Sequence, residues 1–167
     1  MQRRRRAALT GAASAFLLWA GGCARREPAP AFSYTLLDGR TAHTTEALRG
    51  KVVLVNFWAT SCATCVREMP ELAAASQALH ARGLRTLAVA MPYDAPARVA
   101  GFAERHALPF DVVIDLQGSI ARAFGSVQAT PTTFVISRRA EIVQRIVGAP
   151  DFTALRQQLE ALLGEAA

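Results

Sequence analysis

Residues 52–65 run VVLVNFWATSCATC, and they change character halfway along. Val52 to Phe57 is nearly continuous apolar sequence with β-branched residues, as in a central strand covered on both faces. A helical pattern follows from about Cys62 to Arg82 and ends at Gly83, with Pro70 expected to kink it. The two cysteines therefore fall where a buried strand hands over to a helix. With Thr60 or Ser61 as N-cap, Cys62 lies in the first helical turn. Unpaired backbone N–H groups and the positive end of the helix dipole favour a thiolate there. A thiolate is the form that attacks disulfides. Cys65 lies one turn along the same face, where it can attack Cys62 and resolve a mixed disulfide. The outer cysteine should be accessible and the inner one buried.

Two other uses of such a pair fit less well. A disulfide across two intervening residues closes a very small loop and gives little entropic stabilisation. Structural zinc wants four ligands, and a lone CxxC supplies two. The histidines, His43, His80 and His106, are scattered without ligand spacing. No metal and no cofactor are expected, and the pair reads as redox-active. Glu68, three residues after Cys65, shares its face. A buried carboxyl there would accept or supply the proton that Cys65 exchanges, while a solvated one would do nothing. Thr130-Pro131 precedes the apolar run Thr132 to Ser137, and from spacing alone that bond is expected to be trans.

The remaining elements follow from pattern. Phe32 to Leu37 reads as a strand, Asp38-Gly39 as a turn into a short second strand, and Thr44 or Thr45 as the cap of a short helix stopped by Gly50. Leu84 to Ala90 is a second buried strand. Ala95 to His106 is a helix, Val112 to Ile114 a short strand and Ile120 to Phe124 a short helix. Thr132 to Ser137 and Ile142 to Val147 form a hairpin. Asp151 caps a terminal helix over Phe152 to Leu163. Strands alternating with helices, then a hairpin, then a helix, predict an α/β fold with a central mixed sheet flanked by helices on both faces.

The charge of +6 is concentrated at one end. Arg3 to Arg6 carry four of the basic residues, and from Cys23 onward 15 basic residues face 13 acidic ones. No basic face remains to suggest nucleic acid. Residues 1–22 read as an export signal: a charged start, the apolar stretch Ala7–Trp19 of 13 residues, then Ala20-Gly21-Gly22. That stretch is short for a membrane span. Small residues before Cys23 resemble a lipobox, which makes Cys23 a lipidation site, although ordinary cleavage after Gly22 also suits them. Residues 23–31, with two prolines among alanines, read as a tether, and 32–167 as the domain. An exported chain meets an oxidising compartment, where cysteine pairs persist as disulfides.

Val53 to Trp58, Cys62-Ala63-Thr64-Cys65, Glu68, Pro70, Thr130 to Phe134 and Gly148 together resemble the thioredoxin superfamily. The match is to its TlpA/ResA-like membrane-tethered thiol-disulfide oxidoreductases, with a redoxin (AhpC/TSA-type) domain. The resemblance spans about Phe32 to Leu163. It implies a thioredoxin-like three-layer fold with an added N-terminal β-hairpin and an inserted strand–helix segment near residues 94 to 115. It implies Cys62 as nucleophile, Cys65 as resolving thiol and Glu68 as the acidic neighbour. Pro131 would be a cis proline facing the pair, and Trp58, Thr130 and Pro131 would contact substrate. Thioredoxin itself has a buried aspartate where this chain has Asn56, which makes Glu68 the better proton handler. Ser61 and Thr64 replace an aromatic and a proline common in the family, and Arg138-Arg139-Ala140 replaces an acidic or glycine-rich turn.

The function so implied is an exported oxidoreductase exchanging disulfides with proteins through the CxxC dithiol. It would act as a reductant in cytochrome c maturation or similar envelope chemistry. Its partners would be protein thiols or disulfides, a membrane electron donor of the DsbD/CcdA type, and a bacterial membrane reached through the lipid anchor on the periplasmic side; without lipid the protein would be soluble in the periplasm. Two rival readings are a peroxiredoxin-like peroxidase, on the faint Thr60-x-Cys62 match, and a Sco-like copper metallochaperone. The first lacks the usual upstream proline, and the second uses CxxxC and a distal histidine.

Overall fold

The computed structural model describes residues 26–166. The expected export signal and Cys23 lie outside the described residues. In chain order the elements are β1 (Glu27–Pro28), β2 (Ser33–Thr35), β3 (Thr41–His43), α1 (Thr44–Ala47), β4 (Val52–Trp58) and α2 (Ala63–His80). They continue with β5 (Leu84–Ala90), α3 (Pro96–Arg105), β6 (Asp111–Ile114), α4 (Ser119–Ala123), β7 (Thr132–Ile136), β8 (Glu141–Val147) and α5 (Phe152–Gly164).

Six strands form one mixed sheet in the order β1-β8-β7-β4-β5-β6. β4, β5 and β6 run parallel, and β7 returns antiparallel to β4. All seven residues of β4 are buried, which explains its unbroken apolar sequence. Alternate residues serve two cores. Val52, Leu54 and Trp58 pack with Met69, Leu72 and Leu79 of α2, Val99 and Phe102 of α3, and Leu155, Leu159 and Leu162 of α5. Val53, Val55 and Phe57 face the other way, onto Ile120 of α4, Phe124 and Phe134, with Tyr34 and Phe32 of the N-terminal hairpin segment. Phe57, Phe124 and Phe134 meet pairwise with ring centroids 4.8–5.9 Å apart. The architecture is the expected thioredoxin-like one. The added hairpin is β2–β3, joined to the sheet edge by a bridge between Leu36 and Val113. The inserted segment is α3 and β6.

Two features differ from the sequence reading. Residues 23–31 read as a tether, yet Glu27 and Pro28 pair with Ile142 and Glu141, and the Ala29 N–H donates to the Ala140 carbonyl at 2.8 Å. Backbone pairing needs no hydrophobic period and tolerates proline at a sheet edge, so composition concealed it. Second, Arg138 does not merely replace an acidic turn. Its guanidinium donates to the carbonyls of Gly50, Leu163 and Arg82, at 2.9, 3.0 and 3.3 Å, and so joins three chain segments at the end of the sheet opposite the cysteines.

Asp151 caps α5 as expected, its carboxylate accepting from the Thr153 and Ala154 N–H groups. Asp151→Ala should cost about 1 kcal/mol in urea unfolding. An unchanged midpoint would mean that water replaces the cap fully.

Candidate active site

The pair sits at the C-terminal end of β4. Cys62 and Cys65 are joined as a disulfide with Cα atoms 5.2 Å apart. Cys62 is half-buried and Cys65 is fully buried, the asymmetry expected of an outer and an inner cysteine. The helix begins one residue later than its sequence suggests. Cys62 itself is the N-cap, and its Sγ accepts from the Cys65 N–H at 3.2 Å. Thr60 and Ser61 lie outside the helix because Thr60 is engaged elsewhere. The sulfur therefore directly receives one of the unpaired donors of the first turn, which favours a thiolate there. Arg67, one turn on, donates to the Thr64 hydroxyl at 3.0 Å and so adds a cation beside the CxxC dipeptide.

The Thr130–Pro131 bond is cis. The spacing-based expectation of trans is therefore corrected, and the geometry implied by the family resemblance is found. Only tertiary packing selects the rarer isomer, so the local sequence carries no signal for it. The turn brings the Thr130 carbonyl oxygen to 3.6 Å from Cys62 Sγ. Pro131 is buried and its carbonyl accepts from the Gly148 N–H at 2.8 Å.

Glu68 is 5% exposed, on the α2 face that also carries Cys65. Asn56, from β4, donates through Nδ2 to Glu68 Oε1 and to Thr133 Oγ1, both at 3.0 Å. Glu68 Oε2 and Asn56 Oδ1 are buried acceptors with no donor. Burial pushes the Glu68 carboxyl up from 4.5 to about 7, with the Asn56 hydrogen bond pulling the other way. Sequence spacing left Glu68 undecided between a solvated and a buried residue; the fold buries it because α2 lies across β4. A carboxyl that titrates near neutrality can hold or release one proton at working pH.

Trp58 does not belong to a substrate surface. It is fully buried, its ring 5.1 Å from that of Phe102. The strand that points Asn56 at α2 also points Trp58 into the same core, two residues on. Trp58 therefore supports the pair from beneath and cannot touch an incoming chain, which corrects that expectation. Thr130 remains partly exposed beside Cys62.

Sequence reasoning missed the loop between β5 and α3. Asp94, 5% exposed, accepts from the Thr60 N–H through Oδ2 at 2.5 Å and from the Thr60 hydroxyl through Oδ1 at 2.6 Å. Tyr93 is largely exposed, its hydroxyl 3.4 Å from Thr130 Oγ1. An aspartate just before a helix reads locally as a cap; here it serves another loop. No signal in the sequence links Asp94 to a residue 34 positions away.

The Redoxin family model matches residues 24–163. The thiol-disulfide oxidoreductase ResA of Geobacillus thermodenitrificans is 37% identical over 134 residues, covering 80% of this chain and 75% of that protein. The ResA of Bacillus thuringiensis is 31% identical over 161 residues, 93% of this chain and 88% of its own length. Among solved structures, a thioredoxin-family thiol:disulfide interchange protein from Chlorobium tepidum superposes with a TM-score of 0.77 at 27% identity. It covers 84% of this chain and 99% of that one. Family match, fold and the joined Cys62–Cys65 pair agree, and the chain belongs to the Redoxin family, among its ResA-like thiol-disulfide oxidoreductases.

Proposed function

We propose that this protein acts as a dithiol reductant of disulfides in exported proteins, working from the periplasmic face of a bacterial membrane. Cys62 thiolate attacks one sulfur of a partner disulfide. That S–S bond breaks, and the leaving partner sulfur takes a proton. Cys65, its proton passed to Glu68, then attacks Cys62 Sγ and releases the second partner sulfur, which is protonated in turn. The partner gains two electrons and two protons, and the protein is left as the Cys62–Cys65 disulfide. Pro131 and Thr130 would line the approach, with the neighbouring backbone pairing with an extended substrate segment. A membrane donor of the DsbD/CcdA type would restore the dithiol. Cytochrome c maturation is the fitting setting, because apocytochrome haem sites are cysteine pairs that oxidise in this compartment.

The observation that carries the reading is the half-exposed Cys62 bonded to a buried Cys65, with a proton-holding Glu68 on the same helix face. Equilibration against glutathione tests it. Trp58, the only tryptophan after residue 22, lies beneath the pair and should report its redox state by fluorescence. A pair that stays fully oxidised even under a large excess of reduced glutathione, or fully reduced under oxidised glutathione, would defeat the exchange role.

Export and anchoring rest on the first 23 residues of the sequence. Among the described residues no helix is long and apolar enough to cross a membrane. Growth with labelled palmitate should label the wild type and not Cys23→Ala. Equal absence of label in both would remove the lipid anchor and leave ordinary cleavage after Gly22.

A further inference from the structure

We propose that Asp94 is a positioning residue for Cys62 whose charge holds the pair on the reducing side; this deepens the reductant reading above and rests on it. Both carboxylate oxygens of Asp94 are used, one by the Thr60 N–H and one by the Thr60 hydroxyl. Thr60 stands two residues before Cys62, and the intervening turn is closed by the Cys62 N–H to the Ala59 carbonyl at 3.1 Å. The clamp therefore fixes the loop that aims Cys62 at the Thr130 carbonyl. It also places a negative charge on the order of 10 Å from the attacking sulfur, since two residues of chain span no more than about 7 Å. The carboxylate is almost wholly buried, so salt screens it weakly.

That charge opposes the thiolate. The groups that act on Cys62 divide by sign. From α2, the Cys65 N–H and the Arg67 guanidinium beside Thr64 favour a thiolate, and Glu68 disfavours it whenever it is ionised. The Thr130 carbonyl, from the cis-proline turn, disfavours it. From the loop after β5, Tyr93 places a hydroxyl beside Thr130, and the Asp94 carboxylate disfavours the thiolate. A dithiol whose thiolate is stabilised makes a strong oxidant, because its reduced form is favoured. Asp94 acts in the opposite direction. It makes the dithiol readier to give up two electrons and two protons to a partner disulfide. Thr64 and Ser61 do not reveal that direction by themselves.

Asp94→Asn separates charge from geometry. The amide oxygen can accept the Thr60 N–H and the amide nitrogen can donate to the Thr60 hydroxyl, so the clamp persists without the charge. In a Cys65→Ser, Glu68→Gln background, where Cys62 is the remaining group of the pair, the pH midpoint of iodoacetamide alkylation should fall by about one unit. With both cysteines present, two glutathione thiols supply the electrons and protons that open the disulfide. At a pH above the thiol's titration, the dithiol-to-disulfide ratio at fixed glutathione poise should rise up to about tenfold. Thr60→Ala keeps the charge and removes one donor that compensates it, so the alkylation midpoint should move up. It serves as the deciding variant if Asp94→Asn fails to fold. A midpoint that stays put or moves the other way in either variant, with only a loss of thermal stability, reduces Asp94 to a structural clamp and overturns the proposal. If the wild type exchanges with no disulfide at all, the reductant reading fails first, and the alkylation midpoints still judge Asp94.

Discussion

Cys62→Ser should abolish disulfide exchange with protein substrates, a loss of more than about a thousandfold, because no other thiol in the domain can attack. Cys65 is fully buried, and burial in apolar surroundings both hides a thiol and disfavours its thiolate. Cys65→Ser should behave differently. The first attack remains possible, while the resolving attack is lost, so mixed disulfides through Cys62 should accumulate and appear as higher-mass species on non-reducing gels. The two variants should therefore fail at different steps. Equal residual activity in both would mean that the cysteines are interchangeable, which contradicts their unequal burial. If no mixed disulfide appears with Cys65→Ser under any redox condition, Cys62 is not the entry point.

Glu68→Gln should slow turnover and stabilise the fold, and the two effects share one cause. The carboxyl is displaced from 4.5 to about 7 by burial. Below pH 4.5 it is protonated in folded and unfolded chains alike, so its ionisation takes nothing from stability. Between 4.5 and about 7 only the folded protein holds the proton, so stability falls as pH rises through that window. Above it both states are ionised and the loss is complete, at about 3 kcal/mol. Glutamine stays neutral throughout and can still accept from Asn56 Nδ2. With the disulfide kept intact, urea unfolding of the wild type at pH 5 and pH 8 should show this fall, and Glu68→Gln should not. The variant should be the more stable protein at pH 8. Its resolving step should be slower by about a hundredfold near neutrality, since the group that takes the Cys65 proton is gone. A variant with wild-type pH dependence of both stability and exchange would leave Glu68 without a proton role. Stability given up at a working site is a common trade.

Much of this was legible from residues 52–65 onward. An unbroken apolar run meant a strand covered on both faces. CxxC immediately after it meant thiols at a helix start, one outer and one inner, and the structure has that arrangement. Asp151 announced its cap because the residues it binds are two and three positions away. Local rules work where partners are local.

The corrections all concern partners far apart in the chain. The family resemblance gives Trp58 a substrate contact, until the sheet turns its ring toward Phe102. Glu27 and Pro28 read as linker until β8 supplies an edge to pair with. Thr60 reads as a helix cap until Asp94 engages both its donors and passes the cap to Cys62. Glu68 sits three residues after Cys65 in any helix, but whether it is an idle surface charge or a proton store depends on β4 and Asn56 lying beneath it. Periodicity and spacing specify which residue types share a face, and so they were enough for the fold and for the reactive pair. Desolvation, the isomer at Pro131 and the charge placed near Cys62 depend on distances between segments that the chain brings together only when packed. Those distances determine how acidic Glu68 is, where the helix begins and which way the dithiol leans.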